Sequence, residues 1–178
     1  KITGARAGAV YLGDTFKTST LTIRGGIFSE NFSQVGGAGI SADYGKCFNL
    51  LGGEISDNLV TASPANPIRG GGVSVGSCVF NMTGGAVFDN NIINNGTSTS
   101  SEAYGGGIFI SGNMLFSVTG GSVFNNNSGD KGGGIYLGNC REAASKIGGS
   151  LEVYGNTIGR TVEDRDVSNV YLYSSCFN

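Results

Sequence analysis

The side chains of this chain that could do covalent or metal chemistry are four thiols and one short acidic run. The thiols belong to Cys47, Cys78, Cys140 and Cys176, and the acidic run is Glu163-Asp164-Arg165-Asp166. The 178 residues include no histidine, the commonest general base and metal ligand. A Ser-His-Asp or Cys-His centre is therefore impossible within this sequence, and thiol pairing and carboxylate chemistry remain.

The acidic run is predicted to be a solvated loop rather than a catalytic or calcium-binding cluster. Solenoid proteins that cleave carbohydrates cluster several carboxylates, and none recur at the equivalent position in the repeat described below. The stretches "GGAGIS" and "GGGVSV" lack the aspartate of the calcium-binding nonapeptide, and no CxxC spacing indicates zinc. We therefore expect no catalytic residue, no metal, no cofactor and no enzymatic activity.

The elements that position these residues follow an internal repeat marked by glycines, which make up 33 of the 178 residues. Gly-Gly pairs that separate two apolar strands begin at Gly25, Gly52, Gly84, Gly120 and Gly148. A second landmark, a glycine followed by an aliphatic residue, alternates with the pairs. It occurs at Gly39-Ile40, Gly72-Val73, Gly107-Ile108 and Gly134-Ile135. The two landmarks divide the chain into about five units.

Each unit contains three short predicted strands. Apolar and variable residues alternate in the first two, which is typical of half-buried strands, and no window has a helical period. The repeat predicts an all-β fold, a right-handed single-stranded parallel β-helix (β-solenoid) of about five coils in one domain over residues 1–178. Equivalent side chains then stack in inward columns. The expected columns are Leu21, Phe48, Phe80 and Phe116, and Ile23, Leu50, Met82 and Val118. The third strand of successive units is expected to carry Phe28, Ile55, Val87, Val123 and Leu151.

Glycine and asparagine are expected at the corners between strands. Glycine adopts the backbone angles of a sharp corner at low cost. Asparagine tolerates the left-handed conformation, and its amide can hydrogen-bond to the coil above or below. Asn31, Asn58, Asn90 and Asn126 follow strand three of successive units. We therefore expect these four residues to form a structural corner or ladder.

Two short motifs recur in the repeat. The stretch Gly37-Ala38-Gly39-Ile40 and the stretches at 71–73, 106–108 and 133–135 resemble the GGA[I/L/V] motif of the chlamydial polymorphic membrane proteins. The FxxN motif is matched at Phe28-Ser29-Glu30-Asn31, 88–91 and 124–127. The resemblance spans nearly the whole chain. It implies a right-handed β-helix and a secreted or surface-displayed passenger region that adheres or scaffolds.

The four cysteines fall at one position of the repeat. Each follows the aliphatic residue of strand one by 5 to 7 residues, which places all four at the same corner. Because adjacent coils bring equivalent Cα atoms within disulfide range, we expect the bridges Cys47–Cys78 and Cys140–Cys176 and an oxidising, extracellular setting. The alternative is four buried free thiols, since cysteine is often a core residue.

The outward column of strand one contains most of the candidate contact residues. It consists of Tyr11, Ser41, Ser74, Phe109, Tyr136 and Tyr171. The aromatic members Tyr11, Phe109, Tyr136 and Tyr171 could stack on a glycan or pack on a partner. Alternatively, a neighbouring loop covers them. Sequons mark four candidate glycosylation sites, at Asn31, Asn81, Asn95 and Asn126.

Charge and length set the expected partners. The net charge is −2 with a pI near 5.0 and no basic patch, so nucleic acid is not expected, and no apolar run is long enough for membrane insertion. The sequence starts at Lys1 and stops just after strand one of a new coil, so we expect either a longer chain or copies stacked end to end.

The expected function is a non-enzymatic, extracellular or cell-surface structural and adhesive module of a filament or layer. Its partners would be other protein chains, copies of itself or glycans. The alternative is a carbohydrate-binding or carbohydrate-cleaving β-helix.

Overall fold

The computed structural model of the chain describes residues 3–4, 8–61, 67–93, 102–139 and 145–173. Within these ranges the chain forms nineteen strands and no helix. The strands of the first half are β1 (Thr3–Gly4), β2 (Val10–Gly13), β3 (Thr20–Ser29), β4 (Phe32–Ser33), β5 (Ile40–Ser56), β6 (Leu59–Thr61), β7 (Ile68–Arg69), β8 (Val73–Phe88) and β9 (Asn91–Ile93). Those of the second half are β10 (Ala103–Tyr104), β11 (Ile108–Ile110), β12 (Phe116–Phe124), β13 (Asn127–Ser128), β14 (Ile135–Leu137), β15 (Lys146–Ile147), β16 (Glu152–Tyr154), β17 (Thr157–Ile158), β18 (Asp166–Val167) and β19 (Val170–Leu172).

The strands stack as a parallel β-solenoid of about five coils, which confirms the predicted fold class. Ten strands form the largest sheet, seven form a second, and β7 pairs with β10 in a third. The long strands β5 and β8 each run through all three predicted strands of a unit. They pair in parallel from Ile40 with Val73 to Ser56 with Phe88.

The inward columns are those that the repeat predicts. Phe48 pairs with Phe80 and Phe80 with Phe116, and the three rings are fully buried. The rings of Phe48 and Phe80 have centroids 5.1 Å apart. Leu50, Met82 and Val118 continue the second column in the same way. These side chains form one hydrophobic core along the axis, because every coil places an apolar residue at the same inward positions.

One residue assigned to the third strand is wrong, because Leu151 lies just before β16. Val123 pairs with Val153, whereas the sequence predicts Leu151 at this place. The preceding strand of that coil is only β15, where Ile147 pairs with Val118 and fills the second column. The chain then turns through Gly148–Ser150, so the next inward residue falls two positions later than the Gly-Gly spacing indicates.

Each coil also contains a fourth strand that the sequence does not predict. It follows the corner asparagine and corresponds to β4, β6, β9, β13 and β17, which build most of the seven-stranded sheet. Val60 and Ile92 point inward from this sheet and form a second small core with Ala38, Ile68 and Ala103. The fourth strand is missed because its two or three residues are too few to show a periodic pattern.

The asparagine ladder is confirmed and has a longer run than the sequence indicates. The side-chain oxygen of Asn90 accepts hydrogen bonds from the backbone N–H and Nδ2 of Asn58, at 3.1 and 2.8 Å. Asn90 donates from the same two groups to Asn126 Oδ1, at 3.0 and 2.9 Å. The full ladder is Asn31, Asn58, Asn90, Asn126, Asn156 and Asn169. It links the coils through buried amides.

The left-handed backbone conformation lies one residue before each of the first four ladder asparagines rather than at the asparagine itself. Glu30, Asp57, Asp89 and Asn125 have φ between 53° and 56°. These residues turn the chain so that the following asparagine points inward. Asparagine is therefore needed at the ladder positions for its buried hydrogen bonds and not for its backbone freedom.

The glycine that precedes strand one makes room for the ladder. A Cβ on Gly107 would lie 2.9 Å from Asn126 Nδ2, and a Cβ on Gly72 would lie 2.9 Å from Asn90 Nδ2. Such contacts are closer than packed atoms allow. In the last coil Asn169 occupies the position equivalent to Gly134, and its own side chain ends the ladder.

Candidate functional site

A concave surface runs parallel to the solenoid axis, between the outer face of strand one and the β7–β10 pair. The outward residues of strand one stack in a column in which Ser41 pairs with Ser74, Ser74 with Phe109 and Phe109 with Tyr136. On the neighbouring pair, Ile68 and Ala103 are buried in the second small core, and Arg69 pairs with Tyr104. Because strand side chains alternate between the two faces, Arg69 and Tyr104 project outward beside this column.

The aromatic part of the column is a continuous stack. The ring of Tyr136 lies 5.4 Å from that of Phe109 and 5.3 Å from that of Tyr171, with interplanar angles of 8° and 4°. Tyr104 packs on Tyr136 with centroids 4.6 Å apart. Phe109 and Tyr136 are only 4% and 6% exposed. Their covering by a neighbouring segment, the alternative considered from the sequence, is thus confirmed for these two rings.

The two remaining aromatic residues of the column are more accessible. Tyr11 is 42% exposed in the first coil, and Tyr171 is half-buried beneath Tyr136 and the amine of Lys131, which lies 5.6 Å from its ring. Lys131 also lies 5.5 Å from the Tyr104 ring and 3.8 Å from a carboxylate oxygen of Glu102. Contact of Tyr11 and Tyr171 with a glycan or a partner stays a prediction.

A groove opens where serines replace the rings. It encloses about 430 Å³, and its floor is Ser41, Ser74 and Phe109. We call it the axial groove; its walls are Val35, Gly36, Pro67 and Arg69 on one side and Asp43, Tyr44, Gly76, Ser77, Ser111 and Gly112 on the other. The groove exists because the small side chains of Ser41 and Ser74 leave the space that Phe109 and Tyr136 fill in later coils.

Arg69 marks the end of the axial groove. Its guanidinium carbon lies 5.3 Å from the centre of the Phe109 ring. A second cavity of about 270 Å³ begins at the same place and shares Pro67, Arg69, Phe109 and Ser111 with the groove. No carboxylate lies within ion-pair distance of Arg69 in the parts of the chain that the structure describes. The sequence could not identify this residue, because it lies beyond the loop that varies most in length between units.

A second aromatic column lies on the outer face of strand three. Phe88, Phe124 and Tyr154 stack at 4.9 and 5.1 Å with ring planes within 4° of parallel. The FxxN segments at 88–91 and 124–127 begin at this outward column, whereas Phe28 pairs with Ile55 in an inward one. The three FxxN matches therefore do not share one register in the solenoid.

The predicted Cys47–Cys78 disulfide is wrong for this structure, in which both residues are free thiols. A one-residue bulge between Tyr44 and Cys47 pairs Cys47 with Val79. Cys47 therefore points outward, where its thiol donates a 3.2 Å hydrogen bond to Asn49 Oδ1. Cys78 points into the core and is 1% exposed. Cys140 and Cys176, the second predicted pair, lie outside the described residues.

Burial changes the acidity of both described thiols. Desolvation raises the pKa of Cys78 to about 11, with a smaller contribution from the charge of Cys47. Burial also raises the pKa of Cys47, although its hydrogen bonds with Asn81, which donates to the sulfur, and with Asn49, which accepts from it, act against this rise. Neither thiol is therefore activated as a nucleophile at neutral pH.

The acidic run forms the tip of a hairpin between β17 and β18, which pair antiparallel. A carboxylate oxygen of Asp164 accepts the backbone N–H of Thr161 at 2.7 Å, which closes the turn and lowers the pKa of Asp164. Glu163 and Asp166 are exposed. Within the described residues, no group of three or more acidic or cysteine side chains is arranged to hold a metal ion.

The four sequons fall in different environments. Asn31 and Asn126 are buried ladder residues whose side-chain nitrogens donate hydrogen bonds, so a glycan there would break the ladder. Asn81 is half-buried on the outer face and donates to Asn49 Oδ1 at 2.9 Å. Asn95 lies outside the described residues. Modification of Asn81 and Asn95 stays a prediction.

The described segments contain no helix that could span a bilayer. Comparison of the chain with family models, with curated proteins and with solved structures gives no match. The function proposed for the chain therefore depends on its sequence pattern and on the geometry given above.

Proposed function

We propose that this chain is a non-enzymatic structural and adhesive module that acts outside the cell or on its surface. The observation that carries the proposal is the unbroken coil-to-coil order. Hydrogen bonds of the asparagine ladder run from Asn31 to Asn169 and are buried as far as Asn156, and the same inward columns repeat beside them. Such an arrangement favours a stiff rod, because each coil is held by the backbone and the side chains of its neighbours.

Assembly into a filament or layer is supported by the edges of the sheets. In the described structure the last strand of the largest sheet, β19, pairs only with β14. Leu172, at the end of this strand, is 50% exposed although its partner Leu137 is buried. An open parallel edge with an apolar side chain favours the addition of another coil, from the same chain or from a second copy.

Electron microscopy and sedimentation velocity test the structural role. We expect the full chain to form rods whose lengths are multiples of one solenoid, in proportions that grow with protein concentration. Leu172→Lys should abolish these rods, because it places a charge on the open edge. Leu51→Lys is the matched control, since Leu51 is 36% exposed on β5, which is paired with β3 on one side and β8 on the other, and it should leave the rods unchanged.

Single particles at every concentration, together with release of reducing ends from a polysaccharide, would contradict the proposal. They would favour the carbohydrate-cleaving alternative, most of all if substitution of Asp164 or Tyr136 abolished the release. Carbohydrate recognition without cleavage is compatible with an adhesive module. The axial groove favours it, because a positively charged and an aromatic side chain meet there above a floor of hydroxyl groups.

A further inference from the structure

We propose that the axial groove binds a sugar residue that carries a carboxylate. The proposal names the ligand class for the adhesive part of the proposed function and rests on that part. It does not depend on assembly, so the groove could bind its ligand whether or not copies of the chain form rods. The groove volume of about 430 Å³ is within the range of small-ligand sites.

The carboxylate is assigned to Arg69. This side chain is exposed, is held over the Phe109 ring at 5.3 Å, and has no carboxylate partner among the described residues. A guanidinium that is already oriented by an aromatic face loses little rotamer freedom when it binds. Its planar set of N–H donors matches the two oxygens of a carboxylate, which can accept two parallel hydrogen bonds.

The remainder of the groove suits a polyhydroxylated ring. Ser41 and Ser74 on the floor and Ser77 and Ser111 on one wall supply hydroxyl groups that can both donate and accept hydrogen bonds. Tyr44, also on that wall, is 43% exposed and offers a ring face to the apolar side of a sugar. Hydroxyl groups beside an aromatic face are the complement of a saccharide.

Two other ligand classes fit less well. A polyphosphate or a nucleic acid needs several cations, whereas Arg69 is the one basic residue that the described part of the chain contributes to the groove lining. An extended peptide is usually bound by the unpaired edge of a sheet. The floor of this groove is a sheet face in which Ser41, Ser74 and Phe109 already pair with one another.

Isothermal titration calorimetry with trigalacturonate and its neutral methyl ester tests the proposal. We expect the native protein to bind the acid at least about tenfold more tightly than the ester, since only the acid forms a charge-assisted pair with Arg69. Arg69→Gln should weaken binding of the acid by a similar factor. Arg24→Gln is the matched control, because Arg24 is exposed but lies outside the groove lining, and it should bind as the native protein does.

A second variant blocks the groove without changing its charge. Ser74→Phe extends the Phe109–Tyr136 stack by one coil, so it should fold normally, with an unchanged or raised melting temperature, and lose binding. Absence of binding to the acid, equal affinity for acid and ester, or unchanged affinity in either groove variant would overturn the proposal. Tighter binding of triglutamate than of trigalacturonate would also overturn it and would identify the groove as a peptide site.

Discussion

Cys47 and Cys78 lie on successive coils but face opposite sides of the sheet, and their reactivity should differ accordingly. Cys47 is half-exposed, whereas Cys78 is 1% exposed within the core. We expect a small alkylating reagent to modify Cys47 in the native protein and to modify Cys78 only after denaturation. Because burial raises the pKa of both thiols, the reaction of Cys47 should be slow at neutral pH and should accelerate at alkaline pH. Peptide mapping by mass spectrometry measures both sites, and a Cys47–Cys78 linked peptide in the unreduced protein would contradict this account.

Asp14 organises the turn between strands one and two of the first coil. Its carboxylate accepts hydrogen bonds from the backbone N–H groups of Phe16, Thr18 and Ser19 and from the Thr18 hydroxyl. Hydrogen bonds from Ser19 and Thr18 hold the pKa of Asp14 well below its usual range. The contribution of this carboxylate to stability is therefore full above the ordinary aspartate pKa of about 3.9 and is lost as the pH falls towards the lower, folded value.

The pH dependence of an Asp14→Ala variant tests this assignment. At pH 6 the variant should unfold at a lower urea concentration than the native protein. The difference should shrink as the pH falls below about 4. In this range the Asp14 carboxylate gains a proton in the unfolded chain before it does so in the folded chain, so the stabilisation that it gives the native protein is lost. A difference that stays constant down to pH 2 would show that Asp14 acts through packing and not through its charge.

At the scale of the elements, the glycine before strand one and the ladder asparagine depend on each other. Gly107 has a backbone conformation open to other residues, but a Cβ there would lie 2.9 Å from Asn126 Nδ2 and 2.7 Å from the carbonyl oxygen of Gly134. We expect Gly107→Ala to lower the free energy of unfolding by about 1–3 kcal/mol, the usual cost of overpacking. Urea denaturation measures the change.

Gly25→Ala is the matched control for this steric effect. A Cβ on Gly25 would meet no atom within 4 Å. The control should therefore be neutral or stabilise the protein by up to about 1 kcal/mol, because alanine restricts the unfolded chain. Equal destabilisation by both substitutions would mean that the ladder does not require the glycine.

The sequence predicts those elements in which a periodic pattern and a glycine landmark coincide. Phe48, Phe80 and Phe116 stack as expected because each precedes its Gly-Gly pair by the same short distance. The same reasoning fails at Cys47, where the bulge adds one residue and reverses the face of the side chain. It also fails at Leu151, because the preceding strand is shortened to Lys146–Ile147. Local insertions leave no periodic signal that could reveal them.

The axial groove shows why the candidate site is harder to predict than the fold. The sequence identifies its floor, since Ser41, Ser74 and Phe109 belong to the predicted outward column of strand one. Arg69 and the β7–β10 pair are reached through connections of unequal length, so spacing alone does not place them beside this column. The pairing of β7 with β10 places the guanidinium of Arg69 over the Phe109 ring, and this pairing is visible only in the structure.

At the scale of the whole molecule, one rule holds: each coil repeats the inward positions of the coil before it. The rule produces the hydrophobic core, the asparagine ladder and the aromatic columns on two outer faces. In the described structure, β19 at one end of the largest sheet pairs only with β14. The proposed structural role and the proposed groove both depend on this order, the first on its continuity and the second on the change from serine to aromatic residues along one column.

Nuclear Overhauser contacts among the asparagine side chains test this order most directly. In the 18.1 kDa protein, the Nδ2 hydrogens of Asn58, Asn90 and Asn126 should exchange slowly with water, since the three residues are at most 1% exposed. The Nδ2 hydrogens of each of these residues should show contacts to the backbone amide hydrogen of the preceding ladder asparagine along the chain, 27 to 36 residues away. Rapid exchange of these amides, or contacts confined to sequence neighbours, would contradict the stacked solenoid.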